Sequence, residues 1–266
     1  MARLSGKLKF TGRLGNLSAI QKKGSDEIIL RTHGGACKKK IKTAKCFAKT
    51  RDLNSEWVGV TMATAAFRIG IHGIDCTQSY NYTSDLNSLF KSIQSTLPEK
   101  DYDFRPVLLS DNAFLAEGFH LNNPARLDTI IRTPLYGHII REEQSASIDI
   151  PALIRGANFR PAGTYPLFRL IACLGKVTDI VYAAADKDYI PTYKDANTCK
   201  TVKTAWRPVS LDYPAETLRV EYEKKTAMGQ GLNLVLSVGI EFGIPLTDQL
   251  IKSVKYAGAG KVIKLG

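Results

Sequence analysis

Cys46, Thr50, Leu53, Trp57, Val60, Thr64, Phe67 and Ile71 follow one another at alternating spacings of four and three. A strand would scatter these side chains over both of its faces, so the seam dictates a helix. The spacing predicts a long helix over residues 44–72, with Gly73 ending it. Gly59, Ala63, Ala66 and Gly70 form a second stripe about a quarter-turn round. Small residues at that spacing let another backbone approach closely, although each glycine costs about 1 kcal/mol of helix propensity relative to alanine. Leu53, Trp57, Val60 and Phe67 from the seam, with Gly59, Ala63, Ala66 and Gly70 from the stripe, are therefore the candidate helix-packing and assembly residues. Asp75 to Gln78, "DCTQ", has the form of a capping box. A second helix then carries Leu86, Leu89, Phe90, Ile93 and Leu97, and Pro98 stops it, which makes residues 44–100 a helical hairpin.

From about residue 101 the period changes to two. Leu218, Val220 and Tyr222 alternate with Arg219, Glu221 and Glu223, and Leu232, Leu234, Leu236, Val238, Ile240 and Phe242 share one face. Further strands are expected at 104–109, 127–133, 136–141, 146–151, 167–173, 177–183, 201–207 and 251–256. Short alternating runs separated by Pro, Gly, Asp and Asn predict an antiparallel sandwich of Ig-like size over residues 101–266. One-sided alternation argues against a parallel sheet covered by helices. Residues 7–32 read as a small β-meander, with "KLKFTGR" and "NLSAIQK" around a Leu-Gly-Asn turn and "EIILRT" after "KGSD". The fold expected is thus α+β, mainly β: a basic β-hairpin arm (1–43), the helical hairpin (44–100) and the sandwich (101–266).

The net charge of +12 is concentrated in one place. Residues 1–51 hold 14 lysines and arginines against Asp26 and Glu27, while the remainder balances 23 basic with 23 acidic residues. Such asymmetry points to an acidic or polyanionic partner for the arm. The densest stretch, "RTHGGACKKKIKTAKCFAKTR", supplies Arg31, Lys38, Lys39, Lys40, Lys42, Lys45, Lys49 and Arg51 as candidate partner- or nucleic-acid-binding residues. It holds one aromatic, Phe47, so the stacking platform of single-strand binders is missing. The strands of the arm are rich in lysine and poor in large apolar residues, and strands of that kind need another surface to pack on.

The remaining patterns exclude more than they assign. "AGAGKV" (257–262) lacks the first glycine and the Ser/Thr of a phosphate loop and reads as a flexible glycine tail. His33, Cys37 and Cys46 fall short of the four ligands of structural zinc, and Cys76, Cys173 and Cys199 are isolated in sequence. Among lysines, Cys37 invites labelling rather than catalysis. His120 and His138, with Asp128, Glu142 and Glu143 nearby, match no catalytic signature, and "DKD" (186–188) reads as a polar loop rather than a calcium site. No metal, no cofactor and no enzymatic activity are expected. Five irregularly spaced cysteines predict reduced thiols. With no secretory signal and no membrane-spanning run, they predict a cytoplasmic protein without a membrane partner.

"TGRLGNLSAIQKKGSDEIILRTHGG", then "KIKTAKCFAKTRDLNSEW", and the ending "YAGAGKVIKLG" resemble a Bacteroidota protein family of unknown function. A looser likeness reaches short proteins encoded in phages and mobile elements. It is carried by Gly12, Arg13, Gly15, Gly24, Arg31, Thr43, Phe47 and Arg51. "KIKTAKCF" stands where the phage-type pattern has a Gln-rich stretch and Asn-Pro. The resemblance implies a non-enzymatic, assembly-forming protein, with a virion or mobile element as one setting. The expectation is a homo-oligomer that assembles with itself or an acidic partner through its arm; the alternative is non-specific nucleic-acid binding by Lys38–Arg51.

Overall fold

The Leu14-Gly15-Asn16 turn lies where it was expected. Gly15 has a φ of 57°, in the left-handed region that glycine enters without strain. Around it the computed structural model forms an antiparallel sheet from β1 (Ala2–Leu4), β2 (Gly12–Leu14), β3 (Leu17–Gln21) and β4 (Ile28–Thr32), in the order β1-β4-β3-β2. The structure describes residues 2–4, 9–22, 25–32, 34–79, 82–99, 104–161, 163–194, 196–247 and 250–266. His33, the first two residues of "KLKFTGR" and the start of the "KGSD" turn lie outside them. The register places Leu14, Leu17, Ala19, Ile28 and Leu30 on one face, and Arg3, Arg13, Ser18, Ile20, Ile29 and Arg31 on the other.

Helix formation starts earlier than the seam predicts and then breaks. α1 (Lys38–Thr43) ends at Ala44, whose ψ of 138° is extended, and a 3-10 turn over Lys45–Phe47 leads into α2 (Ala48–Gly70). The chain separates into two compact units, Met1–Asn54 and Ser55–Gly266, and the boundary falls within α2. The helical segment from Ser55 and the strands that follow therefore belong to the same unit.

In the second unit α2 is followed by a 3-10 turn, His72–Thr77, and by α3 (Tyr82–Ser95). Asp75–Gln78 is thus no capping box: it lies mainly in the turn, and the next helix begins at Tyr82. The expected strand 127–133 opens as a single helical turn instead. Short helices α4 (Ala113–Ala116) and α5 (Leu127–Ile130) precede the sheets, and in α5 the buried pair Leu127 and Ile130 is spaced for one turn of helix. At 104–109 there is only a bridge between Val107 and Ile180.

All the remaining strands pair antiparallel. β5 (Tyr136–Ile140), β6 (Ser145–Ile150) and β12 (Glu216–Glu221) form a sheet in the order β12-β6-β5, while β8 (Ile180–Ala183) and β9 (Asp188–Pro191) form a hairpin across the 186–188 loop. β7 (Leu167–Thr178) and β13 (Leu232–Pro245) are the spine of the largest sheet, with β10 (Thr198–Lys203), β11 (Arg207–Pro208), β14 (Ile251–Ser253) and β15 (Ala259–Leu265) along them. The segment read as a glycine tail is therefore a strand, β15, paired with β13 from Val235 to Ile240. β7 likewise runs through the break expected between 173 and 177.

Two cores explain this. Phe168, Leu170, Ala172 and Leu174 of β7, with Leu234, Leu236, Val238 and Ile240 of β13, meet Ala146, Ile148, Leu218 and Val220 of the smaller sheet. Ile171, Cys173 and Val177, from the opposite face of β7, join Val235, Val60, Phe67, Ile71, Leu86 and Phe90. The large sheet is thus covered on one side by the small sheet and on the other by helices, and β13 is buried on both faces from Leu232 to Gly243. Among the described residues no helix is long and apolar enough to cross a membrane.

Candidate functional site

The basic cluster is laid out on α1 and the turn after it. Lys38, Lys39, Lys40 and Lys42 are exposed on α1, which has no buried residue, and Lys45 is exposed on the 3-10 turn. No described acidic side chain pairs with any of these five. Arg51 differs from them. Its Nη1 donates to the carbonyls of Ile41 and Ala44, each at 2.9 Å, so its charge closes the C-terminal end of α1 rather than standing free for a ligand. Lys49 is exposed one turn away, and Arg31 shares its sheet face with Arg3 and Arg13. Arg3 is tied to Glu27 at 3.2 Å. Among the described residues of this unit only Ala19 and Ile28 are buried apolar residues, while Leu14, Leu17, Ile20 and Leu53 are exposed.

The candidate assembly residues of the helix divide. Val60 and Phe67 are fully buried, and Phe67 meets Phe90 edge-on with ring centroids 5.4 Å apart. Gly59, Ala63, Ala66 and Gly70 are buried as well. The backbone that the small stripe admits belongs to this same chain. A Cβ on Gly70 would come within 2.5 Å of Val177, one on Gly175 within 2.0 Å of the Gly70 carbonyl oxygen, and one on Gly59 within 2.5 Å of the Tyr189 ring. Only Leu53 and Trp57 of the eight are exposed, at 44% and 43%.

Sequence spacing gave no hint of a third arrangement. Cys173 and Cys199, isolated along the chain, are brought together by the pairing of β7 with β10, where Cys199 lies opposite Gly175 and Cys173 opposite Thr201. Both sit on the face covered by the His72–Thr77 turn, and Gly73 is the point of closest approach: a Cβ there would lie 1.8 Å from Thr201 Cγ2 and 2.9 Å from Cys173 Sγ. Cys173 is buried and Cys199 half-buried. The neighbouring Cys173 thiol, then the Gly73 backbone and the charge of His72, pull the Cys199 thiol down against the opposing effect of burial. The Cys173 thiol, whose Sγ donates to the Gly70 carbonyl at 3.5 Å, moves the other way, held protonated by its neighbour Cys199 and by burial. Arg68, Ile69, Ala65, His72, Asp75 and Cys199 line a recess of about 510 Å³, in which His72 Nδ1 lies 2.8 Å from Asp75 Oδ2. The only sequence trace of the arrangement is a cysteine on each of two paired strands, which becomes visible once the register is known.

His120 and His138 do not converge on one another. His120 Nε2 lies 3.3 Å from Asp128, which Lys261 also holds at 2.8 Å, and burial lowers the His120 pKa. His138 is exposed, 3.9 Å from Asp149. Glu143 accepts from Ser145 at 3.3 Å, and Glu142 is exposed. Cys37 and Cys46 are exposed, and among the described residues no three His, Cys, Asp or Glu side chains are grouped to hold a metal. No protein-family model matches the chain, and no curated protein and no solved structure matches it either.

Proposed function

We propose that the protein is a structural or interaction protein that works without catalysis and docks through its basic N-terminal unit on another copy of itself or on an acidic protein. One observation carries this reading. The four-stranded sheet buries only Ala19 and Ile28 among its described apolar residues and leaves Leu14, Leu17 and Ile20 on the surface. At about 25 cal/mol per Å² of apolar surface removed from water, so small a core stabilises a sheet weakly. Docking on a partner would cover Leu14 and Leu17 on one face of the sheet or Ile20 on the other, and strand addition at a sheet edge is one physical route to it. The exposed lysines of α1 suit an acidic contact. The resemblance of the N-terminal strings and of the ending "YAGAGKVIKLG" to a Bacteroidota family of unknown function implies an assembly-forming protein, which agrees with this reading.

The unpaired lysines favour a second reading, non-specific binding of nucleic acid. Five exposed lysines would give a salt-sensitive, sequence-independent attraction to phosphates. Arg51, engaged with the carbonyls of Ile41 and Ala44, is withdrawn from that role.

Light scattering coupled to size exclusion, read at 260 and 280 nm in low and high salt without nuclease treatment, separates the two. A discrete oligomer that survives high salt, lacks excess absorbance at 260 nm and is lost on deleting residues 1–43 supports docking. A salt-labile species rich in absorbance at 260 nm, abolished when Lys38, Lys39, Lys40 and Lys42 become Gln, supports nucleic-acid binding. An unchanged oligomeric state after deletion of residues 1–43 refutes the docking reading.

A further inference from the structure

Between Arg155 and Arg160 the chain turns back on itself. The Ile154 carbonyl accepts from the N–H groups of Ala157, Asn158 and Phe159, and Arg160 Nε donates to the Gly156 carbonyl at 3.3 Å. Asn158 fixes the turn: it accepts from the Ile154 N–H at 2.8 Å and donates to the Ala152 carbonyl at 2.8 Å and to Thr133 Oγ1 at 3.0 Å. Both arginines line one open recess of about 620 Å³ in the second unit. Their charge is uncompensated. Arg105, Arg169, Arg207 and Arg219 each meet a carboxylate, while Arg141 donates to backbone carbonyls and Arg68 to the Tyr82 hydroxyl. Among the described residues neither Arg155 nor Arg160 has a carboxylate within ion-pair distance. Asp212 accepts from the Arg155 backbone N–H at 2.8 Å, not from its guanidinium.

The rest of the lining is mostly apolar. Phe159 forms the base, with its ring 4.8 Å from that of Phe168, and Tyr165 packs on Phe242 with centroids 5.6 Å apart. Val209 is held in place by its N–H, which donates to the Pro166 carbonyl at 2.9 Å. Thr164 and Ser210 add hydroxyls that have no partner among the described residues. A guanidinium presents a planar fork that matches a carboxylate, and an apolar concavity with a few converging polar groups is the usual build of a small-molecule site. We propose that this recess binds a small organic anion, a carboxylate on a short apolar or aromatic body. Arg155 and Arg160 hold the carboxylate, and the body covers Tyr165 and Val209. An inorganic anion would leave the apolar lining uncovered, and a neutral body would leave both guanidiniums without a counter-charge. The site uses no residue of the N-terminal unit, so it stands or falls separately from the docking reading.

The test is a titration of the full-length native chain with sodium benzoate, followed by backbone-amide NMR. Residue resolution separates the recess from the exposed lysines of α1. The expected result is a saturable shift at residues 155–166 and 208–210. Benzamide, which has the ring without the charge, and inorganic phosphate, which has the charge without the ring, should each bind about tenfold more weakly. Arg155→Gln and Arg160→Gln should each weaken benzoate about tenfold and leave the fold intact, because both side chains are exposed. Arg126→Gln, an exposed arginine outside the recess, should leave the affinity unchanged. No saturable shift at these residues would overturn the proposal. So would an affinity for benzoate that survives both arginine substitutions. Phosphate bound as tightly as benzoate would overturn the apolar body as part of the ligand, and benzamide bound as tightly would overturn its charge.

Discussion

Glu56 sits in α2 beside Trp57, with its side chain only 9% exposed, and its carboxylate is gripped from two directions. Arg105 Nε and Nη2 donate to its two oxygens at 2.7 and 2.6 Å, and Lys91 Nζ donates at 3.3 Å. Against the opposing effect of burial, the Arg105 hydrogen bonds and then Lys91 lower its pKa from 4.5 to about 2. A carboxylate with a depressed folded-state pKa contributes stability that is fully present above about pH 4.5 and is lost as the pH falls toward 2. At 1.36 kcal/mol per unit that loss is about 3 kcal/mol. Urea denaturation between pH 5 and 2.5 should show it in the native chain and not in Glu56→Gln. At pH 7 the same variant should be less stable by about 3 kcal/mol, because it takes the close carboxylate from the buried Arg105 guanidinium and leaves it only the more distant Glu99 at 3.7 Å. A Glu56→Gln chain as stable as the native one at pH 7 would contradict this. Nothing in the sequence marks the pair, since the partners lie 49 positions apart and each reads as an ordinary surface charge. Cys173 and Cys199 escaped notice for the same reason: the local pattern carries no register.

At the scale of elements, the seam from Cys46 to Ile71 made α2 legible, and Leu86, Phe90 and Ile93 did the same for α3, because an apolar stripe at helical period is a local property. The strands with polar outer residues, β5, β6 and β12, were legible for the equivalent reason. What failed was the reading of glycine. Gly258 and Gly260 look like a flexible end, yet they belong to a buried strand and its approach because only glycine fits there: a Cβ on Gly260 would come 2.2 Å from Thr77 Oγ1 and one on Gly258 2.5 Å from the Ile240 carbonyl oxygen. Gly175, within the break expected between 173 and 177, is where the end of α2 meets β7. Gly175→Ala pushes a methyl against the Gly70 carbonyl, which is backbone and cannot swing aside. It should therefore cost about 3 kcal/mol, the upper end for overpacking. In a unit of this size that lowers Tm by about 6–12 °C. Gly34→Ala, where a Cβ meets nothing within 4 Å, should leave Tm unchanged. Equal melting of the two variants would show that the close approach between α2 and β7 does not constrain the fold.

For the whole molecule, composition located the charge in the first 51 residues but could not say how little those residues bury, because burial is a property of the contacts they make. The two units differ in what should hold their hydrogen bonds closed. Most of β13 is buried on both faces and pairs with β7 on one side and β15 on the other, so its amides exchange only when the second unit opens globally. α1 has six residues and no buried side chain, well below the roughly 12–15 residues at which a helix holds alone in water. Hydrogen exchange of the full chain, diluted until light scattering gives a monomer, should therefore find α1 close to unprotected, β2 to β4 weakly protected, and β7 and β13 strongly protected. If the N-terminal unit docks as proposed, protection of β2 to β4 should rise with protein concentration or with an added acidic partner, while β13 stays unchanged. If β2 to β4 are already as protected as β13 in the dilute monomer, the N-terminal unit is stable without a partner, and the exposed Leu14, Leu17 and Ile20 lose their force as an argument for docking.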